Sequence, residues 1–418
     1  MSRADESPAL HDRTLLGPDR PVAVRAEGCW VWDRDGRRHL DATSGAFCVN
    51  LGYTRPDLVE AMTRAAELLP HARPSLFDNE EAEAYRSELL AAAGTPFSRV
   101  LLTSSGSEAV EAALKIALAY QRAVGEPNRT KIRSLAGHYH GATLGALAVT
   151  GWDERRRPWE TRLGARLEGL PQEGDRCAAF IAETIPVAGL GVEIPSPGES
   201  ALRRAACDRD GALWIADEVL TGFGRAGSLF AWERVAEASD ADGGAVPDLV
   251  VFGKGAGAGF APLAGVLISG RVADAIESSA DARFAHHQTH GGNPIACAVG
   301  RAVLRALRDE GWFARARAME APLRAALLAG VAVLGSRVRA FGAMAAATWE
   351  PRGAGPPGHE AAQFVTLSRE RGLVLHAATA VADAVCVAAT PPFSFGEEEL
   401  LELTRRVAEA AATTSRGT

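Results

Sequence analysis

Short apolar runs alternate with helical patterns through the middle of the chain. Val100–Thr103 is an apolar run of strand length, and Ser107–Val124 carries an apolar stripe with the period of an α-helix. Three more runs of strand length end in polar or glycine-rich residues, at Ala178–Ala182, Leu213–Ala216 and Leu249–Phe252. This alternation predicts an α/β layer with a largely parallel sheet, in which ligands bind beyond the carboxyl ends of the strands.

The two ends of the chain have a different pattern. The sequence of residues 1–20 indicates a loose or docking arm. Val22–Val24 and Trp30–Trp32 are short β-like runs, and Asp35-Gly36 predicts a hairpin turn after them. Further predicted elements are helices at Pro56–Leu69, Ala298–Arg308, 313–330 and Glu397–Ala411, and a loop at Pro351–Gly358.

Composition narrows the class of protein. Of 418 residues, 47% are hydrophobic and 23% are charged, which is typical of a globular protein with a large core. The net charge of −7 argues against a broad phosphate-binding surface, so we expect no nucleic-acid partner. The basic run at residues 155–157 is interpreted as a solvated loop.

Cysteine usage and apolar segments indicate the compartment. The six cysteines form no CxxC pair, and the N-terminus has no apolar signal segment. The longest uncharged apolar stretch, Ala325–Gly335, is too short to span a membrane. We therefore expect a cytoplasmic protein that does not insert into a membrane.

Three clusters of candidate residues follow the predicted strands. At Ser104–Ala109, backbone N–H groups and Gly106 could approach a phosphate, although a serine N-cap has the same pattern. Asp217 and Glu218 end an apolar run, where a buried acid requires a partner such as a protonated ring nitrogen, a helix cap or a metal ion. Lys254 follows another such run, and partial burial lowers the pKa of an amine and favours Schiff-base chemistry, unless the amine reaches water.

Three other motifs have competing interpretations. Residues 253–258 fit a loose dinucleotide-binding pattern, but the glycines and proline after them do not favour the helix that such a site needs. His138–Gly141 offers Tyr139 as an aromatic face for a flat ring, or two histidines as metal ligands. The three histidines of His286–Pro294 lack cysteine or aspartate ligands nearby, so we expect a loop that closes a site and no metal ion.

Five separated segments together resemble the class III aminotransferases of pyridoxal-5′-phosphate (PLP) fold type I. The resemblance extends over roughly residues 25–405, and each segment alone is weakly specific. The segment Gly45–Tyr53 is most similar to the ω-transaminase branch, in which tryptophan usually stands at the position of Phe47. The five segments are SGSEAVEAALK from Ser105, YHGATLGAL from Tyr139, ADEVLTGFGR from Ala216, PDLVVFGKG from Pro247 and THGGNPIACA from Thr289.

The resemblance implies an α/β fold with two domains. A large PLP-binding domain at residues 66–305 would hold a mostly parallel central sheet flanked by helices. A small α+β domain would be built from both termini. Residues 1–65 would form an N-terminal arm and part of this small domain, and residues 306–418 would form the remainder of it.

The resemblance also implies roles around the PLP ring. Lys254 would bind PLP as a Schiff base and then move the proton between the substrate carbon and the cofactor. Asp217 would pair with the pyridinium nitrogen and keep the ring an electron sink. Val219 and Tyr139 would pack on opposite faces of the ring, and Glu183 would lie near the cofactor.

The phosphate is expected to be bound by residues of two subunits. By resemblance, Gly106 and Ser107 would hold it from one subunit, and Thr289 would reach the phosphate of the neighbouring subunit. The expected assembly is therefore a homodimer with shared active sites.

The substrate pocket departs from the family pattern. His376 stands where many relatives carry an arginine that pairs with a substrate carboxylate, and a histidine cannot form that bidentate fork. Phe47, Cys48 and Arg225 are the other expected pocket residues, and Arg225 could bind a carboxylate instead. Alternatively the site prefers a polar or cationic acceptor without that carboxylate, such as an amino sugar in secondary metabolism, and then simple keto acids are poor acceptors.

These features favour ping-pong transamination from a donor amine or amino acid to a ketone or aldehyde. A PLP-dependent isomerase (an aminomutase, racemase or epimerase) would use the same lysine and cofactor, so the sequence separates the two functions poorly. A decarboxylase or a non-catalytic binding protein is the third hypothesis, and the intact pair of Lys254 and Asp217 argues against a dead site.

Overall fold

The computed structural model describes residues 21–237, 245–280, 284–353 and 355–416. The predicted arm at residues 1–20 lies outside the described residues. Numbered in chain order, the strands are β1 (Ala23–Glu27), β2 (Trp30–Asp33), β3 (Arg38–Asp41), β4 (Phe97–Thr103), β5 (Lys131–Ser134), β6 (Leu167–Glu168), β7 (Cys177–Glu183), β8 (Leu213–Asp217), β9 (Leu249–Phe252), β10 (Ala264–Ser269), β11 (Arg337–Ala340), β12 (Ala345–Trp349), β13 (Leu373–Val374), β14 (His376–Ala377) and β15 (Val385–Ala389).

Helices surround these strands, and none in the described ranges combines the length and apolar character needed to cross a membrane. The helices are α1 (Pro56–Leu68), α2 (Glu80–Ala93), α3 (Gly106–Ala123), α4 (Leu144–Val149), α5 (Asp153–Arg156), α6 (Glu160–Leu163), α7 (Glu199–Asp210), α8 (Ala231–Glu237), α9 (Gly270–Glu277), α10 (Pro294–Asp309), α11 (Trp312–Gly330), α12 (Pro357–Glu370) and α13 (Glu397–Arg416).

A seven-stranded central sheet has the order β4-β10-β9-β8-β7-β5-β6. The strands from β9 to β6 pair in parallel, whereas β10 runs antiparallel to both of its neighbours. Every residue of β7, β8 and β9 is buried, which explains why these strands are continuous apolar runs. The predicted α/β fold with a mostly parallel sheet flanked by helices is confirmed.

Two smaller sheets are built from the two ends of the chain. Strands β1, β2 and β3 form an antiparallel meander, and β13 adds to β3 in parallel. The other sheet has the order β11-β12-β15-β14. The hairpin predicted at Asp35-Gly36 joins β2 to β3, and Gly36 has a φ of +80°, a left-handed conformation that glycine adopts at little cost.

Capping residues fix several helix boundaries. Ser105 begins α3 by accepting the N–H of Glu108. Asn293 caps α10 by accepting the N–H of Ala296, and Pro294 occupies the first turn, so this helix begins four residues before the predicted Ala298. The predicted loop at Pro351–Gly358 is too long, because α12 already begins at Pro357.

Candidate active site

The carboxyl ends of β7, β8 and β9 bring two carboxyl groups and an amine to one edge of the central sheet. Glu183 ends β7 and Asp217 ends β8, and these residues lie opposite each other in the parallel register. Both are buried. Lys254 follows β9 by two residues, so the parallel strands place it at the same edge.

Asp217 is held by two hydrogen-bond donors. Its Oδ2 lies 2.7 Å from Nδ1 of His140, and its Oδ1 accepts the N–H of Val219 at 3.0 Å. His140 is buried, and its Nε2 has no hydrogen-bond partner within the described part of the chain. Each oxygen of a carboxylate can accept more than one hydrogen bond, so Asp217 retains capacity for a further cationic donor.

Glu183 is protonated more readily than an ordinary glutamate. Its Oε2 accepts the N–H of Tyr139 at 2.8 Å. Burial, followed by the negative charge of Asp217, raises the pKa of Glu183 to about 8. Burial and the charge of Asp217 therefore favour the protonated form of Glu183, whereas the positive charge of Lys254 opposes it.

Lys254 has the surroundings of a nucleophilic amine. Burial lowers the pKa of Lys254, while the charges of Glu183 and Asp217 oppose that shift. Its Nζ lies 5.2 Å from the centre of the Phe47 ring. The φ of Lys254 is +43°, a left-handed conformation that is strained for a lysine and that is concentrated at functional sites.

The N-terminus of α3 offers a site for an anion beside these strand ends. Ser105 caps the helix, and the first N–H groups of a helix have no partner inside it. A Cβ on Gly106 would lie 2.7 Å from Cγ1 of Val219, so glycine allows the helix start to approach that side chain. Ser107 Oγ accepts the N–H of Ala142 at 3.0 Å, which fixes the loop before α4 against the helix start.

Aromatic side chains form two walls above the strand ends. The ring of Tyr139 packs edge-on against Trp152 with 6.0 Å between centroids, and Phe47 packs edge-on against His376 at 4.9 Å. Phe47 and Tyr139 join one apolar cluster with Trp152. His376 lies 2.8 Å from the carbonyl oxygen of Ala188 through its Nε2, and burial lowers the pKa of His376 to about 4. The imidazole is therefore neutral near pH 7, and its Nε2–H donates to this carbonyl.

Arg225 and Cys48 are the remaining residues that were predicted to line the substrate pocket. Arg225 is fully buried, and its guanidinium donates to the carbonyl oxygens of Thr390 and Pro391 and to Ser44 Oγ. These bonds engage donors that a substrate carboxylate would need, so binding of a carboxylate by Arg225 stays a prediction without support from its contacts. Cys48 is half-buried, and its place in the substrate pocket stays a prediction.

Thr289 is separate from this cluster. It is exposed in the loop before α10, and none of the contacts among the described residues joins it to Lys254 or Asp217. Its predicted contact with the phosphate of a second subunit stays a prediction.

The residues at the strand ends fit PLP. The buried carboxylate of Asp217 can accept a ring N–H, and the unbonded N–H groups at the start of α3 suit a phosphate. Within the described ranges, Lys254 Nζ has no hydrogen-bond partner that would compete with a covalent bond to an aldehyde.

Comparison with known proteins agrees with this fit. The sequence profile described as aminotransferase class-III matches residues 18–166 and 152–411. An omega-aminotransferase from Caulobacter vibrioides is 33% identical over 420 residues, covering 91% of this chain and 92% of that protein. An acetylornithine aminotransferase from Xylella fastidiosa is 34% identical over 394 residues, covering 90% of each. The crystal structure of the omega transaminase from Pseudomonas jessenii in complex with PMP has a TM-score of 0.86 and 26% identity, covering 97% of this chain and 94% of that chain.

The fold and the site thus define a PLP enzyme of fold type I. The chain belongs to the class-III aminotransferase family, whose members use PLP as the cofactor for amino transfer.

The sequence did not indicate the roles of His140 and Trp152 at this site, and the structure decides between the alternatives that it left open for Glu218. His140 was considered as a metal ligand, whereas it bonds Asp217. Glu218 has the helix-cap role that was one of the alternatives, because it accepts four hydrogen bonds, including those from the first two N–H groups of α8. Trp152 had no signal beyond its aromatic character, although it supports Tyr139.

Proposed function

We propose that this aminotransferase moves an amino group from a donor amine or amino acid to a polar ketone or aldehyde by ping-pong transamination at Lys254. The observation that carries the proposal is the amine of Lys254 beside the buried carboxyl groups of Glu183 and Asp217. Neither the site geometry nor the named relatives favour an isomerase.

Each of the surrounding residues has a defined task in this proposal. PLP, when bound, withdraws electrons from the reacting carbon and stabilises the negative charge that develops there. Lys254 Nζ would take the proton from that carbon and pass it to the cofactor rather than back to the same carbon, so that the amino group leaves the donor. Asp217, oriented by His140 and by the N–H of Val219, would hold a proton on the ring nitrogen, and Tyr139 and Val219 would confine the ring.

The acceptor is proposed to lack a carboxylate next to its carbonyl carbon. The neutral imidazole of His376 donates to the carbonyl oxygen of Ala188, so no cation stands at this position to bind such a carboxylate. A polar keto sugar or a similar intermediate of secondary metabolism in the cytoplasm matches this requirement. Pyruvate and other simple 2-keto acids should then be poor acceptors.

The test follows the absorption of bound PLP. Donor amines should convert wild-type protein to the pyridoxamine form, and an added ketone or aldehyde should restore the starting spectrum. An isomerase would return the amine nitrogen to the original carbon skeleton and accumulate no pyridoxamine form. If no amine in a broad panel changes the spectrum, the proposed transamination is wrong. If pyruvate is among the best acceptors, the proposed acceptor class is wrong.

A homodimer with shared sites is also proposed. Leu76 and Phe77 are 64% and 67% exposed in the single chain. The segment before Leu76 contacts the loop that carries Thr289. The carbonyl oxygen of Pro70 accepts a hydrogen bond from Asn293 Nδ2 in this loop at 3.1 Å. Exposed apolar side chains in a segment that is joined to the loop of Thr289 support a subunit interface here.

Complementation tests the shared site. Lys254→Ala and Thr289→Ala subunits should each be weakly active alone, the second because PLP binds less tightly. Co-expressed, they should form hybrids with one intact site, since one subunit then supplies Lys254 and the other Thr289. A monomer by sedimentation, or hybrids no more active than the separate variants, would refute the shared site.

A further inference from the structure

The turn at residues 43–47 carries Phe47 into the site in a strained backbone conformation. The φ angles of Ser44 and Phe47 are +53° and +66°, in the left-handed region that residues with a side chain rarely adopt. Such residues persist only where the surrounding contacts hold them, and they are concentrated at functional sites. The contacts that hold this turn therefore also hold Phe47.

The ring of Phe47 contacts two side chains of the site. Its centre lies 5.2 Å from Lys254 Nζ, and it packs edge-on against His376 with 4.9 Å between centroids. The chain after the turn also packs closely on the residue that follows Lys254, because a Cβ on Gly255 would lie 2.9 Å from Asn50 Nδ2. A displacement of the turn would therefore reach the surroundings of the reactive amine.

Asp41, the last residue of β3, accepts hydrogen bonds from four donors in and beside this turn. Its Oδ1 accepts the N–H and the hydroxyl group of Thr43 at 2.9 Å and 2.7 Å. Its Oδ2 accepts the N–H of Gly45 at 2.5 Å and the hydroxyl group of Tyr53 at 2.7 Å. A carboxylate offers about four acceptor positions, so the protein itself uses those of the buried Asp41.

Ser44 provides the second support of the turn. Its Oγ donates to the carbonyl oxygen of Thr390 at 2.6 Å and accepts a hydrogen bond from the Arg225 guanidinium at 3.1 Å. Asp41 and Gly45 line a cleft of about 190 Å³ that the described residues leave open, so packing supports the turn on only part of its surface. On that part, the hydrogen bonds to Asp41 supply the restraint.

We propose that Asp41 is a positioning residue for amino transfer, which fixes Phe47 against Lys254 without itself binding substrate or cofactor. The inference rests on the proposed transamination and adds to it a residue that acts through the turn. Loss of the carboxylate would leave the N–H of Gly45 and the hydroxyl group of Tyr53 without their acceptor. The turn would then relax from its left-handed angles, and Phe47 would leave its place beside the amine.

A double-mutant cycle tests whether Asp41 acts through Phe47. Asp41→Asn keeps the size of the side chain but replaces one acceptor oxygen by an amide nitrogen that cannot accept. The kcat/KM for conversion of the bound cofactor by the best amine should fall about tenfold or more in this variant. In a Phe47→Ala background the same substitution should lower it by no more than about twofold, because no ring remains to be positioned. Additive losses would overturn the proposal.

A matched control and a milder variant accompany the cycle. Asp33 is also buried and accepts two backbone N–H groups at 3.1 Å and 2.8 Å, but its side-chain hydrogen bonds lie within the β2–β3 hairpin. Asp33→Asn should destabilise the protein in urea yet change kcat/KM by no more than about twofold. Tyr53→Phe removes one donor to Asp41 and serves if Asp41→Asn does not fold. It should lower kcat/KM by about threefold, and only while Phe47 is present.

Crystal structures of wild type and Asp41→Asn separate this inference from the proposed function. In the variant the φ angles of Ser44 and Phe47 should leave the left-handed region, and the rings of Phe47 and His376 should move apart by about 1 Å or more. Unchanged angles and ring separation would overturn the role of Asp41 even if transamination proceeds. Failure of every amine to convert the cofactor would overturn the proposed function, whereas the comparison of the two structures would still decide how Phe47 is held.

Discussion

Replacement of Gly106 by alanine tests how tightly the start of α3 is packed against the site. The new Cβ would lie 2.7 Å from Cγ1 and 3.2 Å from Cγ2 of Val219, both closer than side-chain carbons normally approach. Overpacking of this kind costs about 1–3 kcal/mol. Alanine restricts the unfolded chain more than glycine and offsets about 0.4–1 kcal/mol of that cost. We therefore expect Gly106→Ala to lower the free energy of unfolding by about 1–2 kcal/mol.

A double-mutant cycle isolates the contact. Val219→Ala removes both γ carbons and leaves Cβ of residue 219 at 3.6 Å from the new methyl group, which is an ordinary contact. In that background Gly106→Ala should be neutral or slightly stabilising, so the coupling should be about 1–3 kcal/mol. Urea unfolding measures each variant, and Gly353→Ala serves as the control because its Cβ meets nothing nearer than 4.0 Å. Equal effects of Gly106→Ala with and without Val219 would refute the packing argument.

Two further predictions concern the buried acids. The folded-state pKa of Glu183 is raised, so its contribution to stability is complete below its ordinary value of 4.5 and is lost as the pH rises through about 8. The difference in unfolding free energy between cofactor-free wild type and Glu183→Gln should change over this range by at most about 1.4 kcal/mol per pH unit, and a flat difference would contradict the raised pKa. Replacing His140 by phenylalanine leaves Asp217 with one of its two donors and should cost about 1–3 kcal/mol. Urea unfolding should show that this loss of unfolding free energy largely disappears in an Asp217→Asn background. An equal loss in that background would show that the bond to Asp217 is not its source.

Local sequence signals predicted those parts of the fold and of the site for which burial alone determines the residue pattern. Strands β7, β8 and β9 are buried on both faces, so they are continuous apolar runs, and the polar residues that end them are conspicuous. Lys254 could be predicted for that reason. The antiparallel strand β10 was not predicted, because its direction depends on pairing with β4 and β9 and leaves no local pattern.

Contacts between distant segments account for most of what the sequence did not indicate. His140 and Asp217 are 77 residues apart, and Glu154 and Thr379 are 225 residues apart. Nothing in the basic run at 155–157 distinguishes a solvated loop from a docked helix that carries one buried and one accessible arginine. The neutral state of His376 likewise depends on its burial and on the carbonyl of Ala188, neither of which has a signal at position 376.

The covalent role of Lys254 is tested most directly by trapping. The chain contains three lysines, and the other two, Lys115 and Lys131, donate from their Nζ to carbonyl oxygens of Ala285 and Asp175 in exposed settings. Borohydride reduction of the PLP-loaded protein, followed by peptide mass spectrometry, should find the pyridoxyl group on Lys254 and on neither of the others. A pyridoxyl group on Lys115 or Lys131, or protein that remains unlabelled although PLP is supplied, would contradict the assignment.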